Sequence, residues 1–264
     1  MEYGLGTRTL REAHVPLHRC LKDIGVSLAP GVVDVWCIDV RGSPEDRAIQ
    51  SQWLKREERD QADRFLREID RTRFVLTRSM LRRLLAEYVH TTPECIQFSQ
   101  GFHGKPELAG EPRCPVRFNV SHSGARAAMA FALQHEVGVD IEQHSSSLNW
   151  QIISRQFFSP MECRVLESIP VDQRVGAFFD TWTRKESFIK AVGNGLSYGL
   201  DSFCVQGVGE PALLVAPVED LSRWWMGCFD AGSDYSAAVS VRRSANDVSP
   251  WPPILSVHSI GPGQ

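Results

Sequence analysis

No stretch of this 264-residue chain approaches the roughly 20 consecutive apolar residues that a membrane-spanning helix needs. Its opening, MEYGLGTRTLREAHVPL, is broken by charges and carries no apolar signal core. A membrane-embedded or secreted protein is therefore not expected. Excess charge is also missing: 29 Lys and Arg against 32 Asp and Glu leave a formal charge of −3. Bulk attraction to nucleic acid or anionic membrane is excluded, and any anion site has to be local. Seven cysteines form no CxxC pair and have no paired histidines nearby, which argues against zinc and for reduced thiols in a cytoplasmic protein. Lysine is scarce, with five positions: Lys22, Lys55, Lys105, Lys185 and Lys190. Three of them fall between 105 and 190.

What is present is a globular composition. Hydrophobic residues make up 42% of the chain, enough for one large domain or two small ones. Residues 1–30 have no clear periodicity and read as a loosely attached arm. The run VVDVWCIDV at 32–40 reads as a strand. Ser43, Pro44 and Asp46 then supply a helix start: a cap hydroxyl, proline at the first helical position and an acid at the third. Helix is predicted for most of the next 45 residues, broken near Asp70, with Phe74, Leu81, Leu84, Leu85 and Tyr88 on one apolar stripe. Short strands are expected at 95–99, 116–120, 126–133 and 136–142, between the turn-rich GFHGKP and SHSG. The order then repeats. Ser159, Pro160 and Glu162 open a helix as a capping box, a second helix runs from Asp172 to Ala191 and stops at Gly193, and strands follow near 202–206, 212–216, 224–230 and 235–241. From Ser244, four Pro and two Gly in 21 residues predict a disordered tail. Strand, helices and antiparallel strands, twice over, make an α+β protein of two halves joined between 125 and 135.

Three segments can carry chemistry. In VGVDIE, Asp140 and Glu142 are two apart, and on a strand residues i and i+2 project to one face. Carboxylates so placed suit Mg²⁺, which takes one or two of them and completes its octahedron with water and phosphate oxygens. Two solvated acids on a strand leaving the core is the plainer alternative. In WTRKESFIKAVGNGL, Trp182, Glu186 and Lys190 are spaced four apart and share a helix face. Glu before Lys at that spacing is also the favourable surface ion pair, worth roughly a few tenths of a kcal/mol. The functional alternative turns Glu186 to a metal and Lys190 to a phosphate. In FNVSHSG, Ser121 and His122 precede a glycine turn. Strand neighbours point to opposite faces, so they form no catalytic dyad, but hydroxyl, amide and imidazole can meet a phosphate. An ordinary loop histidine is the alternative. Lys105, in the GKP turn, can bring its ammonium to the same ligand.

Taken in order, these segments resemble the 4'-phosphopantetheinyl transferases of the surfactin-synthetase-activating type. The resemblance runs from about Val32 to Val241 through DRTRF and the arginines after it (70–82), GKP (104–106), FNVSHSG (118–124), GVDIE (138–142), FFS with its later Glu (157–162) and W..KES..K..G.GL (182–196). It implies a pseudo-twofold α+β fold of two similar halves, each a small antiparallel sheet packed with helices, with coenzyme A and Mg²⁺ in the cleft between them. The division is then an N-terminal half with its arm (1–130), a C-terminal half carrying the metal-binding acids (131–243), and the tail (244–264). The implied activity is of the holo-[acyl-carrier-protein] synthase type. A monomeric cytoplasmic enzyme transfers phosphopantetheine to a serine of acyl or peptidyl carrier proteins of fatty-acid, polyketide or non-ribosomal peptide synthases.

By motif match, Asp140, Glu142 and Glu186 are the metal-binding acids, and Ser121, His122 and Lys190 surround the pyrophosphate. Arg73 and Lys105 lie toward the nucleotide and its 3'-phosphate, with Arg71 able to assist. Glu186, Lys190 and His122 carry the catalysis. Glu186 is the first candidate base, and Glu162, which also fits a capping box, is the second. Where some relatives have Lys in the helix before DRTRF, this chain has Glu58 and Gln61. A Mg²⁺-dependent hydrolase of the coenzyme A pyrophosphate, or a non-catalytic nucleotide-binding module, would draw on the same residues.

Overall fold

The β-branched run near residue 32 forms β1 (Val32–Asp39), buried along nearly its whole length. It opens a computed structural model that describes residues 28–101, 105–110, 114–193, 199–218, 220–245 and 247–260. The expected N-terminal arm, apart from its last three residues, lies outside the described residues, as do Gly104 of GKP and the Gly195–Leu196 end of the last motif. Ser43 caps α1 (Pro44–Ser51). Its Oγ accepts from the Asp46 amide at 3.0 Å, while the Asp46 carboxylate accepts from the Ser43 amide at 3.0 Å. After α2 (Arg56–Ala62) comes α3 (Glu68–Tyr88). The helical break therefore falls at 63–67, ahead of Asp70, which sits in the first turn of α3, where a negative charge meets the positive end of the helix dipole. A ribbon of β2 (Phe98–Gln100) and β3 (Pro106–Leu108) leads to the hairpin of β4 (Val116–Ser123) and β5 (Arg126–Leu133). The hairpin turns at Gly124 with φ of +55°, where a Cβ would lie 2.1 Å from the Gln143 side chain.

The second half repeats this order. It runs β6 (Glu136–Gln143), α4 (Trp150–Phe157), α5 (Pro160–Ser168), α6 (Arg174–Val192), a ribbon of β7 (Cys204–Val205) and β8 (Leu213–Val215), and a hairpin of β9 (Trp224–Cys228) and β10 (Tyr235–Arg242). Strand order agrees as well: β1-β5-β4 in the first sheet, β6-β10-β9 in the second. The result is an α+β fold of two topologically equivalent halves. The boundary placed at 130 falls inside β5, and the chain passes between sheets at Gln134 and His135.

One expectation is overturned. Residues 254–260 of the supposed disordered tail form β11 (Ile254–Ile260), which pairs in parallel with β1, Val32 opposite Ile254 through Ile38 opposite Ile260. The first sheet is thus mixed rather than antiparallel, in the order β11-β1-β5-β4. Proline and glycine dominate the composition of the tail, but within ILSVHSI Leu255 and Val257 pack toward the second sheet and Ile260 toward α3, and His258 stacks on Trp36 with ring centroids 4.2 Å apart.

Period-two alternation divides the core. Trp36, Ile38, Met129 and Phe131 pack on the Leu76, Met80 and Leu84 stripe of α3. Val33, Val35, Cys37 and Ala128, Ala130, Ala132 face Val137, Val139 and Ile141 of the second sheet. The alanine row of β5 keeps the sheets close. On the other face of β6, α6 approaches even more closely at Gly138, where a Cβ would fall 2.1 Å from the Ser187 carbonyl oxygen and 2.3 Å from the Ala191 amide nitrogen. Among the described residues six cysteines are free, and no helix is long and apolar enough to cross a membrane.

Backbone atoms cannot move aside as a side chain can, so Gly138→Ala is expected to cost at least the upper part of the overpacking range, about 3 kcal/mol or more. Urea unfolding monitored by tryptophan fluorescence checks this, and a midpoint equal to that of the parent protein contradicts it.

Candidate active site

Asn119, Ser121 and Ser123 recur at every second position of β4 and so share one side of the strand. They join it to β6, the edge strand of the other sheet, through side chains. Asn119 Oδ1 accepts from the Val139 amide at 2.9 Å, Ser121 Oγ donates to Asp140 Oδ1 at 2.8 Å, and Ser123 Oγ donates to Glu142 Oε2 at 2.7 Å. The acids of VGVDIE therefore stand at the seam between the halves. From α6, Lys190 Nζ donates to Asp140 Oδ1 at 2.6 Å and to Ser121 Oγ at 3.0 Å. Lys190 turns to these partners rather than to Glu186, four residues before it, so the surface ion pair suggested by the helix spacing yields to a tertiary one.

The charges at the seam are only partly balanced. Burial raises the carboxyl pKa of Glu186, the charge of Asp140 raises it further, and Lys190 opposes both. Glu142 is likewise raised by burial and by Asp140, against the Ser123 hydrogen bond and Lys190. Asp140 itself is 2% exposed, and its Oδ2 is buried without a hydrogen-bond partner. Among the described residues, no three His, Cys, Asp or Glu side chains are gathered tightly enough to enclose a metal ion. The donor set nevertheless fits a hard divalent cation. It offers three carboxylates within one another's field and an orphaned oxygen on the most buried of them, all hard oxygen donors.

His122 occupies the opposite face of β4 from Ser121, as strand alternation requires, and is exposed. Partial desolvation, then the charge of Arg73, push its imidazole below the ordinary value, so it is neutral at physiological pH and offers one N–H. Arg73 Nη1 donates to Asp70 Oδ1 at 3.2 Å, while its Nε is buried with no partner. Arg71 is turned the other way and pairs with Asp63. Lys105 is fastened to the backbone: its Nζ donates to the carbonyls of Val137 at 2.9 Å and Lys190 at 3.1 Å, with Glu136 at 3.6 Å. Burial lowers its pKa, and Glu136 opposes that shift. The structure thus gathers Ser121, Asp140, Glu142, Glu186 and Lys190, sets His122 and Arg73 together on the far face of β4, and uses Lys105 to tie β6 to the end of α6.

Glu162 is a structural group. Its Oε1 accepts from Lys185 at 2.7 Å and from the Val205 amide at 2.9 Å, and its Oε2 accepts from Lys185 at 2.8 Å and from the Ser159 amide at 2.8 Å. Lys185 also donates to the Phe203 carbonyl at 2.7 Å, and both side chains are buried. This removes Glu162 as a candidate base, because neither oxygen is available to a substrate. Sequence reasoning missed Asn119, Ser123 and Lys185. The N-x-S-x-S alternation in β4 was a visible signal for the first two, while the partners of Lys185 come from distant segments. Beside Glu142 lies a cavity of about 290 Å³ lined by Leu148, Ile153, Phe178, Phe179 and Trp182.

Removing one member of a buried ion pair leaves the other uncompensated, so Lys185→Met is expected to lower stability by about 3–5 kcal/mol. The double substitution Lys185→Met with Glu162→Leu should recover part of that loss in a double-mutant cycle of unfolding free energies. Purely additive costs would contradict the pairing.

The 4'-phosphopantetheinyl transferase superfamily pattern matches residues 136–240, and the pattern for the N-terminal part of 4'-phosphopantetheinyl transferase matches residues 41–134. The two meet at the passage between the sheets. A putative 4'-phosphopantetheinyl transferase of Synechocystis sp. is 37% identical over 161 residues, 60% of this chain and 65% of that protein. The 4'-phosphopantetheinyl transferases Sfp and ffp of Bacillus subtilis are 30% and 32% identical, over 75% and 76% of this chain and 86% and 88% of their own lengths.

Proposed function

This chain belongs to the 4'-phosphopantetheinyl transferase superfamily, in its surfactin-synthetase-activating type, and from that premise we propose that it moves the 4'-phosphopantetheine arm of coenzyme A to a serine of an apo acyl or peptidyl carrier protein. Adenosine 3',5'-bisphosphate is released, in a Mg²⁺-dependent reaction in the cytoplasm. The observation that carries this reading is the cluster at the seam, where Lys190 is held on Asp140 and Ser121 beside two further acids.

The serine oxygen of the carrier attacks the β-phosphorus of coenzyme A, a P–O bond forms, and the bond from that phosphorus to the bridging pyrophosphate oxygen breaks. Phosphoryl transfer of this kind needs alignment and charge neutralisation rather than a protein nucleophile. Lys190, held in place by two partners, meets the developing charge on the phosphate oxygens, and His122 donates its N–H without adding positive charge. Glu186 takes the serine proton, the role that Glu162 cannot fill. Asp140, Glu142 and Glu186 would hold Mg²⁺, which supplies charge neutralisation at the pyrophosphate. The apolar cavity beside Glu142 suits the pantetheine arm, and Arg73 suits the nucleotide 3'-phosphate.

Intact-mass analysis of apo carrier proteins incubated with coenzyme A and Mg²⁺ tests the reaction, with a gain of one phosphopantetheine arm as the expected result. Free 4'-phosphopantetheine released without a carrier would assign a hydrolase instead. Lys190→Ala is expected to lower the transfer rate on the order of a hundredfold, comparable with losing one oxyanion donor. Unchanged kinetics would return Lys190 to a structural role. Arg73→Ala should weaken coenzyme A far more than dephospho-coenzyme A, mostly in KM, because the 3'-phosphate is remote from the reacting phosphorus. Equal effects on the two substrates would separate Arg73 from that phosphate.

A further inference from the structure

Away from the seam, α1, α2 and α3 enclose a cavity of about 300 Å³ whose lining includes Arg47, Arg59, Arg71 and Asp63. Each helix contributes one arginine. Leu54 and Val75 also line it and are buried against Ala62, so the guanidinium groups stand around an apolar floor. Each is partly held by the protein. Arg59 Nη1 donates to the Leu54 carbonyl at 2.5 Å, Arg47 Nη1 donates to Thr72 Oγ1 at 3.0 Å and pairs with Glu68, and Arg71 pairs with Asp63. Arg71 keeps its Nε buried with no hydrogen-bond partner. Three guanidinium charges against the carboxylates of Asp63 and Glu68 leave the group positive.

We infer that this cavity is a binding site for a phosphoryl group, separate from the seam. Arginine forks match the spacing of phosphate oxygens, and a guanidinium has five donors, so the contacts already made leave others for an anion. The site is distinct from the one assigned to the nucleotide. Two positions along α3 amount to about 200° of helix rotation, which puts Arg71 and Arg73 on different sides of the helix. The charge of Arg73 acts on His122, whereas Arg71 pairs with Asp63 in the lining of the cavity. An anion held here ties together three helices, one of which carries Arg73. The inference stands whether or not the transferase reading holds.

The test is thermal unfolding of the full chain in chloride buffer, titrated with inorganic phosphate and, separately, with adenosine 3',5'-bisphosphate. The parent protein and Arg73→Gln should show a saturable rise in Tm with phosphate. Arg59→Gln, which alters an exposed residue, should bind phosphate about tenfold more weakly, the effect of losing one charge-assisted hydrogen bond. Arg71→Lys, which keeps the charge and loses the fork, should also weaken binding, and it serves if Arg59→Gln fails to fold. In Arg73→Gln, a response to phosphate alone assigns a free ion, and an equal response to both anions assigns a nucleotide phosphoryl group. A Tm indifferent to phosphate overturns the inference. So does a phosphate response lost in Arg73→Gln but intact in Arg59→Gln.

Discussion

The absence of a side chain at Gly138 sets the distance on which the rest of the site depends. With nothing between the β6 backbone and the turn of α6 at Ser187–Ala191, the helix lies directly on the strand. Ser187 Oγ and Ser240 Oγ, 2.8 Å apart, fix it to β10 as well. Asp140, two positions along the same face of β6, then meets Lys190, and the charge of Asp140 reaches Glu186. The polar row of β4 completes the arrangement from the other sheet. A backbone ladder between β4 and β6 would have used amides and carbonyls for pairing, whereas a side-chain seam leaves carboxylates at the junction.

The scarcity of lysine acquires a physical reason in this setting. Arginine supplies most of the surface cations, whereas Lys105, Lys185 and Lys190 each bring a compact ammonium into a partly or wholly enclosed place. Lys105 binds two backbone carbonyls, Lys185 a carboxylate and a carbonyl, and Lys190 a carboxylate and a hydroxyl. An ammonium presents three donors around a point, which suits convergent oxygens better than a planar fork. Lys105 and Lys185 brace the helix that carries Lys190, the first against β6 and the second against α5.

Features whose determinants are local in the chain were legible in the sequence. The capping boxes at Ser43 and Ser159, the left-handed stop at Gly193 and the twofold repetition of strand, helices and hairpin each depend on residues within a few positions. Family motifs pointed to the acids and Lys190, and in the fold Lys190 meets Asp140 and Ser121 while the charge of Asp140 reaches Glu142 and Glu186. What spacing could not give was the choice of partner. Lys190 has Glu186 one helical turn away and Asp140 across the interface, and the packing at Gly138 decides for Asp140. Glu162 satisfied a capping rule and a functional one equally well until Lys185 and the Val205 amide closed around it. The C-terminal strand was hidden because proline and glycine on either side of a seven-residue segment dominate an average taken over the whole tail.

That strand also bears on how the protein is made. β1 is among the earliest elements in the chain, yet one of its two edges is completed only by residues roughly two hundred positions later, a separation that raises the entropy of closing the contact. Until β11 arrives, β1 presents unpaired amides and carbonyls on a strand rich in valine and isoleucine, the kind of edge that recruits other chains. During synthesis the first half can collapse on α3 and pair β5 with β1, but it stays open on one flank. The three-stranded sheet of the second half, β6-β10-β9, closes within residues 136–242, so β6 waits only about half as long for its partner. Symmetry in the finished sheets therefore conceals an asymmetry in time, and translation leaves the N-terminal half exposed to aggregation for longer than the half that carries the acids.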